Sequence, residues 1–463
     1  MRIDQLTVKN FKGFKSREFS FHRQFNLIVG VNGTGKTSAL DALAVAVGSW
    51  FLGVRGTDSR HIRADEVFLE HFEHETVDTE GRKHPGTRWE TVYPCEVSAS
   101  GEVSGERIRW TRSLKGKEGR TTYVSASNIK ELASQADAAV RRGENILLPL
   151  ISYYGTGRLW QEPRDSFKVS NPIEVAAKDE SSRFAGYWNS VDPRLSVSQL
   201  TRWIVRQSWI AYQNRTSPVF SAVKAAIVGC VEGATDLYFD ASSGDVIVKM
   251  PEHAQPFYNL SDGQRSMLAM VGDIAQKAAK LNPHLGNAVL TATPGVVLID
   301  ELDLHLHPRW QRRIIDDLRR TFPNIQFICT THSPFLIQSL RSGEELIVLD
   351  GQPTADLANM SVEAIAQGIM GIPNPQVSLR YEEMKGAAKQ YLQTLEEARL
   401  DPADRLAEFL ERLSGPLAPY ADNPAFQAVN AEPRHSVHPS LQHLEFVIPE
   451  TAAWYRSSPW SPW

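Results

Sequence analysis

The sequence predicts an α/β fold with a mixed sheet, and three features of the chain support this prediction. An alternating pattern of polar and apolar residues, "REFSFHRQFNLIVG", runs directly into a Gly-rich turn, and apolar residues after Lys36 recur at helical spacing. A continuous apolar run, "GVVLID" at 295–300, is typical of a parallel strand that is buried on both faces. A helix pattern over 310–321 and another buried strand, "IQFICTT", complete an α/β crossover.

Composition places the chain among ordinary globular proteins. Its 463 residues suffice for two or three domains, and 42% hydrophobic with 22% charged residues excludes a disordered or fibrous chain. The net charge of −4 gives no overall attraction to nucleic acid, so only a local patch could bind it. The first forty residues contain a basic stretch, in which Asp4 and Glu18 are opposed by Arg2, Lys9, Lys12, Lys15, Arg17, Arg23 and Lys36. We interpret these basic residues, except Lys36, as solvated strand edges.

Cysteine usage and hydropathy predict a cytoplasmic protein without a membrane segment. Cys95, Cys230 and Cys329 are far apart, which argues against a disulfide framework or a zinc knuckle and fits a reducing cytosol. The start, "MRIDQLTVKNF", alternates polar and apolar residues where a signal peptide needs a hydrophobic core. The longest mostly apolar run, 42–52, is too short for a bilayer, which requires ~20 residues.

The remaining elements follow from periodicity and turn signals. A strand is predicted for "RIDQLTVKNF", and a hairpin for "DLYFDASSGDVIVKM" with its turn at Ser243 and Gly244. Further strands are predicted at 88–98 and 106–113, and helices at 197–212, 261–279, 379–399 and 402–413. We divide the chain into a lobe with the Gly-rich turn (1–114), a mixed helical insert (115–233), a second lobe (234–350) and a mostly helical C-terminal region (351–463). The sequence lacks internal repeats and sustained heptads, so a long coiled-coil arm is not expected.

The Gly-rich turn, "GVNGTGKT" at 30–37, matches the phosphate-loop pattern in full, between a buried strand and a helix. Glycines allow the backbone to turn its N–H groups onto phosphates, and the start of the helix favours the anionic charge. We expect Lys36 to pair with the β and γ phosphates of ATP, and Thr37 to ligate Mg²⁺. The other residues expected to contact the nucleotide are Asn32, Gly33, Thr34, Gly35 and Ser38.

The stretch "VVLIDELD" supplies the carboxylates that a phosphate loop needs. Asp300, at the end of a buried strand, is expected to hold the water coordinated to the metal. Glu301 would face the γ phosphate and act as the general base that polarises the attacking water. A pair of solvated carboxylates at a strand end is the alternative, and the matched phosphate loop argues against it.

A second Ser-led helix start, "NLSDGQRS", lies far downstream of the phosphate loop. Ser261 is a good N-cap, Gly263 permits close backbone approach, and the helix presents free N–H groups to an anion. Because the phosphate loop already encloses the α and β phosphates, this helix start could reach the γ phosphate only from the open side. Two chains that face each other head to tail would therefore each complete the site of the other.

These motifs resemble those of ABC-type ATPase heads. The signature of that family, Leu-Ser-x-Gly-Gln, is matched at Leu260, Ser261, Gly263 and Gln264. The stretch "TTHSP" resembles the switch loop, which implies that His332 contacts the γ phosphate. Asp303 resembles an Asp that such ATPases place at the dimer interface. The resemblance thus implies an ABC-type head that forms a homodimer, or a higher oligomer, around ATP.

Within this superfamily the stretches "VNGTGKT", "NFKGF" and "DELDLHLHPRWQ" look like the RecF, SMC and OLD branch, so transport is not expected. The stretches "ISYYGTGRLW" and "SVEAIAQGIMGIPNP" resemble the PtuA-type ATPases of Septu and retron anti-phage defence. That resemblance implies a nuclease partner, of the HNH type, since the chain shows neither a Toprim Asp-x-Asp pair after "LIVLDG" nor an HNH finger. DNA or RNA would be a further partner.

Two other functions stay open at the level of sequence. One is a RecF-like repair ATPase that binds DNA on the basic first strands. The other is a scaffold whose nucleotide is structural and is not hydrolysed.

Several histidine, glutamine and tryptophan residues give weaker signals, and most of them have a structural interpretation as well as a functional one. We attribute His305 and His307 in "HLHP" to packing, and "HFEHE" at 71–75 to a solvated helix face rather than a metal site. Gln161 is a candidate for the loop residue that senses Mg²⁺. The tail residues Trp454, Trp460 and Trp463 would either dock into a partner or pack onto the head, and the sequence favours neither.

Overall fold

The computed structural model describes residues 1–77, 83–158, 182–195, 197–213, 218–231, 233–350 and 360–400. It consists of two units, Met1–Gly371 and Ile372–Trp463. All of the site residues named above, apart from the candidate Gln161, are described and belong to the first unit. No helix in the described ranges is both long and apolar enough to span a membrane.

The strands and helices, in chain order, fall into three successive groups. The first group is β1 (Arg2–Phe11), β2 (Phe14–Ser20), β3 (Phe25–Val29), α1 (Lys36–Val47), β4 (Leu69–Val77), β5 (Lys83–Thr91), β6 (Cys95–Val103) and β7 (Glu106–Leu114). The second is α2 (Ser127–Arg141), β8 (Leu150–Tyr154), α3 (Val197–Tyr212), α4 (Pro218–Cys230), β9 (Asp236–Asp240), β10 (Asp245–Lys249), β11 (Ala254–Pro256), α5 (Asp262–Leu281) and α6 (Val289–Ala292). The third is β12 (Gly295–Ile299), α7 (Pro308–Gln311), α8 (Ile314–Thr321), β13 (Ile325–Thr330), α9 (Pro334–Gln338), β14 (Leu346–Val348), α10 (Val362–Gly368) and α11 (Leu379–Leu400).

Five parallel strands form the central sheet, in the order β14-β3-β13-β12-β8. Every residue of β3, β8, β12 and β13 is buried, which explains why these strands are continuous apolar runs in the sequence. Because the strands are parallel, their carboxyl ends share one edge of the sheet. The loops after β3, β8, β12, β13 and β14 therefore meet at this edge, although they are far apart in the chain.

Helix α1 contacts β12 and β13 of the parallel sheet and also β1, β6 and β7 of an antiparallel sheet with the order β2-β1-β6-β7. Nine of its twelve residues are buried, as expected for a helix that is covered on more than one side. The indole of Trp110 donates a 3.0 Å hydrogen bond to the carbonyl of Ala46. The helix that follows the phosphate loop is thus held firmly on both sides.

The α/β class with parallel and antiparallel strands agrees with the sequence prediction, and the two kinds of strand lie in separate sheets. The hairpin β9–β10 is present with Gly244 at φ +77°, as are the predicted helices α3, α5 and α11. The segment treated as an insert, 115–233, also supplies β8, an edge strand of the central sheet. The helix predicted at 402–413 lies outside the described residues.

Two strands predicted as continuous are each divided in the structure. The stretch "REFSFHRQFNLIVG" forms β2 and β3, which belong to different sheets. Asn26 bonds through its side chain to the backbone N–H (2.7 Å) and carbonyl (2.9 Å) of His22, and these bonds stabilise the turn. The strand predicted at 88–98 is divided between β5 and β6, because Pro94 between them has no N–H to donate to a ladder.

One helix prediction is wrong, and another is confirmed only in part. The "HFEHE" stretch lies in β4, where pairing with β5 opposes His71 to Trp89. This pairing, which local spacing does not show, overrides the helical interpretation. The helix predicted at 310–321 is two helices, α7 and α8, separated at Arg313 with φ −118°. The hydroxyl of Ser339 lies 3.3 Å from the carbonyl of Arg312 at this break and 2.8 Å from the carbonyl of Phe335.

Candidate functional site

The phosphate loop, residues 30–37, connects β3 to α1 at the carboxyl edge of the sheet. Gly33 and Gly35 have φ of +88° and +100°, a left-handed conformation that glycine adopts without steric cost. A Cβ at Gly35 would lie 2.6 Å from the ring of Phe14, so this position requires glycine for space as well. The hydroxyl of Thr34 donates to the carbonyl of Val31 (2.8 Å), which closes the loop.

Lys36 is the first residue of α1 and is buried. Its Nζ donates to the carbonyls of Gly30 (2.7 Å) and Val31 (3.1 Å), so the ammonium lies against the start of the phosphate loop. Burial lowers the pKa of Lys36, and the nearby carboxylates, led by Asp350 and Asp300, oppose that shift. A cation in this position can pair with phosphate oxygens above the loop.

Thr37 and Asp300 form the oxygen-rich part of the site. The hydroxyl of Thr37 donates to Oδ2 of Asp300 (2.9 Å), and the hydroxyl of Thr330 donates to Oδ1 of the same carboxylate (2.6 Å). Asp300 is 4% exposed and follows β12 directly, while Thr330 ends β13. The two neighbouring strands therefore hold this carboxylate in one orientation, facing the start of α1.

Glu301 has a backbone conformation that is uncommon for a residue with a side chain. Its φ is +47°, in the left-handed region that is costly outside glycine. The backbone N–H of Glu301 donates to the hydroxyl of Thr330 (2.7 Å), and the next N–H, of Leu302, donates to the Thr330 carbonyl (2.9 Å). The side chain of Glu301 thus leaves the chain at a sharp turn just beyond Asp300.

Asp303 and His332 lie on adjacent loops that follow β12 and β13. Oδ1 of Asp303 accepts from the hydroxyl of Thr331 (2.5 Å) and from the backbone N–H of His332 (3.3 Å). Both residues are half-buried. Asp303 therefore fixes the backbone of the loop that carries His332, a role within the chain that the motif alone does not indicate.

Ser261 caps the start of α5, as predicted. Its hydroxyl accepts from the backbone N–H of Gln264 (3.4 Å), while Oε1 of Gln264 accepts from the backbone N–H of Ser261 (3.2 Å), which is a capping box. Ser261 is exposed, so this helix start faces solvent in the single chain.

Gly263 provides close approach to a different group from the one expected. A Cβ at this position would lie 2.4 Å from the backbone carbonyl of His305, in the loop after β12. The glycine therefore allows α5 to pack against the chain's own loop. His305 itself has φ +63°, and Nδ1 of His307 accepts from the N–H of Arg309 (3.3 Å) at the start of α7. The "HLHP" stretch thus has a structural role.

Arg158 is a buried residue of this region that the sequence analysis did not identify. It follows β8, and its guanidinium donates to the carbonyls of Asp300 (2.8 Å) and Glu301 (2.9 Å). Its Nε also donates to the hydroxyl of Ser266 on α5 (3.3 Å). An arginine directly after a buried strand and a Gly-x-Gly turn, "GTGR", is the signal that could have identified it.

Three basic residues of the first strands form ion pairs with acids within the chain. The ion pairs are Arg2 with Asp4 (2.7 Å), Lys15 with Glu70 (2.6 Å), and Lys12 with Asp41. These pairs reduce the local positive potential that a DNA surface would require. Gln161 and the three tail tryptophans lie outside the described residues.

Residues 25–338, which contain the phosphate loop, Asp300, Glu301 and Ser261, match the family described as "AAA domain, putative AbiEii toxin, Type IV TA system". The chain is 25% identical over 418 residues to the Retron Ec83 probable ATPase of Escherichia coli, which covers 76% of this chain and 72% of that protein. It is 30% identical over 372 residues to the Septu protein PtuA of Bacillus thuringiensis, which covers 80% of this chain and 81% of that protein. A structure of an SMC head bound to the C-winged helix domain of ScpA covers 75% of this chain and 94% of that chain, at 16% identity and a TM-score of 0.41.

The family match, the length of the match to PtuA and the order of the motifs agree with one another. The chain therefore belongs to this AAA-domain ATPase family and, within it, to the group that contains the Septu protein PtuA and the retron ATPases.

Proposed function

We propose that two copies of this chain bind ATP between their heads, hydrolyse it with Mg²⁺, and through this cycle control a partner nuclease. The observation that carries the proposal is the contact between Thr37 and Asp300, because it joins the phosphate loop to the carboxylate after β12. Around this contact lie the general-base candidate Glu301 and the loop that carries His332.

Within one chain, the N–H groups of the phosphate loop would bind the phosphates of ATP. Lys36 would pair with the β and γ phosphates, close to the loop carbonyls that it contacts in the free chain. The other contacts would come from Asn32, Gly33, Thr34, Gly35, Thr37 and Ser38.

The donor set at Thr37 and Asp300 fits Mg²⁺. Mg²⁺ prefers oxygen ligands, and here a hydroxyl and a carboxylate oxygen lie 2.9 Å apart, on a threonine after the phosphate-loop lysine and an aspartate after a buried strand. When bound, Mg²⁺ would neutralise negative charge on the β and γ phosphates.

Hydrolysis would proceed by in-line attack of water on the γ phosphorus. As the water oxygen bonds to phosphorus, its proton passes to the carboxylate of Glu301, and the bond from phosphorus to the oxygen of the departing ADP breaks. His332 would donate to a γ-phosphate oxygen, on which negative charge is held during the transfer. The left-handed backbone turn at Glu301 distinguishes it from its neighbour Asp300, and the two carboxylates would take these different roles.

The second chain would supply the start of α5. The start of α5, with the exposed Ser261 and with Gly263 and Gln264, would face the γ phosphate bound to the first chain, and Asp303 would lie at the interface. ATP would then stabilise the paired heads, and its hydrolysis would release them. Nucleotide would thus shift the equilibrium between paired and separated heads.

The likeness to Septu PtuA and to a retron ATPase supports a role in anti-phage defence in the cytoplasm. In this role the chain would regulate an HNH-type nuclease subunit, which would act on DNA or RNA. The head dimer would be the minimal assembly, on which a higher oligomer could be built.

Phosphate release and sedimentation by the purified chain test the proposal. We expect release of phosphate from ATP that stops with EDTA and with Lys36→Ala, and that continues with Lys117→Ala, which replaces an exposed lysine. ATP-dependent pairing without phosphate release, with the nuclease partner present, would instead indicate a scaffold. Salt-sensitive DNA binding by the isolated chain, strengthened by ATP, would favour the RecF-like function.

A further inference from the structure

The guanidinium of Arg158 is buried in the ATPase site and, within the described part of the chain, hydrogen-bonds only to neutral groups. The residue is 2% exposed, and its acceptors are the carbonyls of Gly155 (3.1 Å), Asp300 and Glu301, and the hydroxyl of Ser266. Burial lowers the pKa of Arg158, and the nearby charges of Asp300 and Glu301 oppose that shift. Burying a cation among neutral acceptors costs stability.

The contacts of Arg158 fix the backbone of Glu301. Its Nη2 donates to the carbonyl of Glu301 (2.9 Å), while the N–H of Glu301 is held by the hydroxyl of Thr330 (2.7 Å). Both polar backbone groups of Glu301 are therefore bound, which maintains the costly φ of +47°. The carbonyl of Glu301 also accepts from the N–H of Leu304 (3.0 Å). Because the backbone angles set the direction of the Cα–Cβ bond, Arg158 helps to fix the direction in which the side chain of Glu301 leaves the backbone.

The same guanidinium contacts the helix that begins at Ser261. Its Nε donates to the hydroxyl of Ser266, which lies in the second turn of α5. The start of α5 is also packed against the loop after β12, where Gly263 meets the carbonyl of His305. A movement of α5 would therefore be transmitted to the peptide of Glu301 through one rigid, planar side chain.

We propose that Arg158 is a positioning residue that aligns Glu301 for catalysis and couples this alignment to the position of α5. The inference rests on the proposed function, in which Glu301 is the general base and the start of α5 contacts the ATP of the second chain. When the start of α5 contacts the ATP bound to the partner chain, Arg158 holds Glu301 of the same chain as that α5 in place. Each of the paired sites thus depends on the occupancy of the other.

Arg183 is a matched control for this proposal. Its guanidinium also donates to backbone carbonyls, including those of Leu281 (2.7 Å) and Glu144 (3.1 Å). Leu281 is the last residue of α5, so Arg183 holds the opposite end of the same helix. Burial lowers the pKa of Arg183 as well. Substitutions of Arg183 therefore reproduce the loss of a helix-anchoring arginine without touching Glu301.

The first experiment compares Arg158→Met and Arg158→Lys with Arg183→Met and Arg183→Lys. We expect Arg158→Met to lower kcat on the order of 10²-fold, the effect of misplacing a catalytic group, while the Kd for a fluorescent ATP analogue is unchanged. Arg158→Lys retains the cation but cannot reach both carbonyls, so its kcat should be intermediate. The Arg183 variants should lose thermal stability but keep kcat. A wild-type kcat for Arg158→Met, or equal losses of kcat for both arginines, would overturn the proposal.

The second experiment combines Arg158→Met with Glu301→Gln. If Arg158 acts through Glu301, the double variant keeps the residual rate of Glu301→Gln, because the group that Arg158 positions is already disabled. A further loss by the same factor as in the single Arg158 variant would show an independent structural effect and overturn the proposal.

The thermal unfolding of each variant is measured in parallel. If Arg158→Met does not fold, Arg158→Lys alone is compared with the Arg183 variants. A reduced kcat in Arg158→Lys then supports the proposal, and a wild-type kcat overturns it. Phosphate release by the wild-type chain distinguishes a failure of the proposed ATPase function from a failure of the positioning role of Arg158. A wild-type chain that binds ATP but releases no phosphate with its partner refutes the proposed function, and the role of Arg158 with it. A wild-type chain that hydrolyses ATP, with Arg158 variants of equal kcat, refutes the positioning role alone.

Discussion

The hydroxyl of Thr37 donates a 2.9 Å hydrogen bond to Oδ2 of Asp300, although the two residues are 263 positions apart in the chain. The contact forms because β3, which leads into the phosphate loop, and β12, which leads into Asp300, are parallel strands on either side of β13. Their carboxyl ends lie at the same edge of the sheet. The fold thus brings a hydroxyl and a carboxylate together from segments that share no local sequence relationship.

Removal of the charge at Asp300 should abolish Mg²⁺-dependent hydrolysis. Asp300→Asn preserves the size of the side chain but removes the negative charge that would hold the cation. We expect kcat to fall by ~10²-fold or more, because a catalytic metal contributes several kcal/mol to the barrier. Phosphate release measured over a series of Mg²⁺ concentrations checks this. Asp65→Asn, at an exposed site, is the control, and an unchanged Mg²⁺ dependence in Asp300→Asn would contradict the assignment.

Glu301→Gln should separate nucleotide binding from turnover. The amide cannot accept the proton of the attacking water, yet it preserves the size and backbone of the residue. We expect the variant to bind ATP and to accumulate nucleotide-bound dimers, seen as a faster-sedimenting species with ATP. Sedimentation that ATP leaves unchanged would show that hydrolysis does not control pairing of the heads.

Two glycine substitutions should affect stability in opposite directions. In Gly263→Ala the new Cβ would lie 2.4 Å from the carbonyl of His305, so α5 or the loop must shift, at a cost of about 1–3 kcal/mol. Gly229, in α4, has open space at the Cβ position, and Gly229→Ala should add about 0.5 kcal/mol by restricting the unfolded chain. Chemical denaturation measures both changes. A destabilisation shared by both variants would refute the packing argument.

The affinity for ATP should decrease at alkaline pH through Lys36. Burial lowers the pKa of Lys36 below 10.5 in the free chain, while bound phosphates favour the charged ammonium and raise that pKa. Between the two pKa values binding takes up a proton, so affinity declines as pH rises through the pKa of the free chain. Lys36→Arg stays charged up to pH ~12 and should show no such decline. Titrations with a fluorescent ATP analogue test this, and a decline of equal size in Lys36→Arg would assign it to another group.

The motif residues were predictable because each meets a local physical demand. Gly33 and Gly35 adopt left-handed backbone angles within the phosphate loop, and Ser261 caps a helix through a residue three positions ahead. Buried parallel strands such as β12 can be recognised in the sequence as continuous apolar runs. These features are encoded within a few residues, so a single sequence suffices to find them.

The features that the sequence did not reveal depend on distant partners. Strand β8 belongs to the central sheet because it pairs with β12, with Leu150 opposite Gly295. These two residues are far apart in the chain, so no local pattern indicates their pairing. The function of Arg158 depends on carbonyls after β12 and on a hydroxyl in α5, and a lone arginine carries no spacing signal for such partners. The segment 71–75 has helical spacing of its histidines, yet pairing with β5 makes it a strand.

The central claim is that each ATP is enclosed by the phosphate loop of one chain and the start of α5 of another. Lys36→Ala should prevent the phosphate loop from binding ATP, and Ser261→Arg should prevent the start of α5 from contacting the ATP of the other chain. Each variant alone should therefore be inactive.

Co-expression of Ser261→Arg and Lys36→Ala chains tests this claim most directly. In a mixed dimer one of the two sites combines an intact phosphate loop with an intact helix start, so random pairing sets an upper limit of about a quarter of the wild-type rate per chain. The coupling through Arg158 lowers the rate below this limit, because the second site of the mixed dimer is disabled. Phosphate release below this limit but well above that of either variant alone is the result that we predict. A co-expressed mixture that forms dimers yet stays as inactive as either variant alone would contradict the shared site.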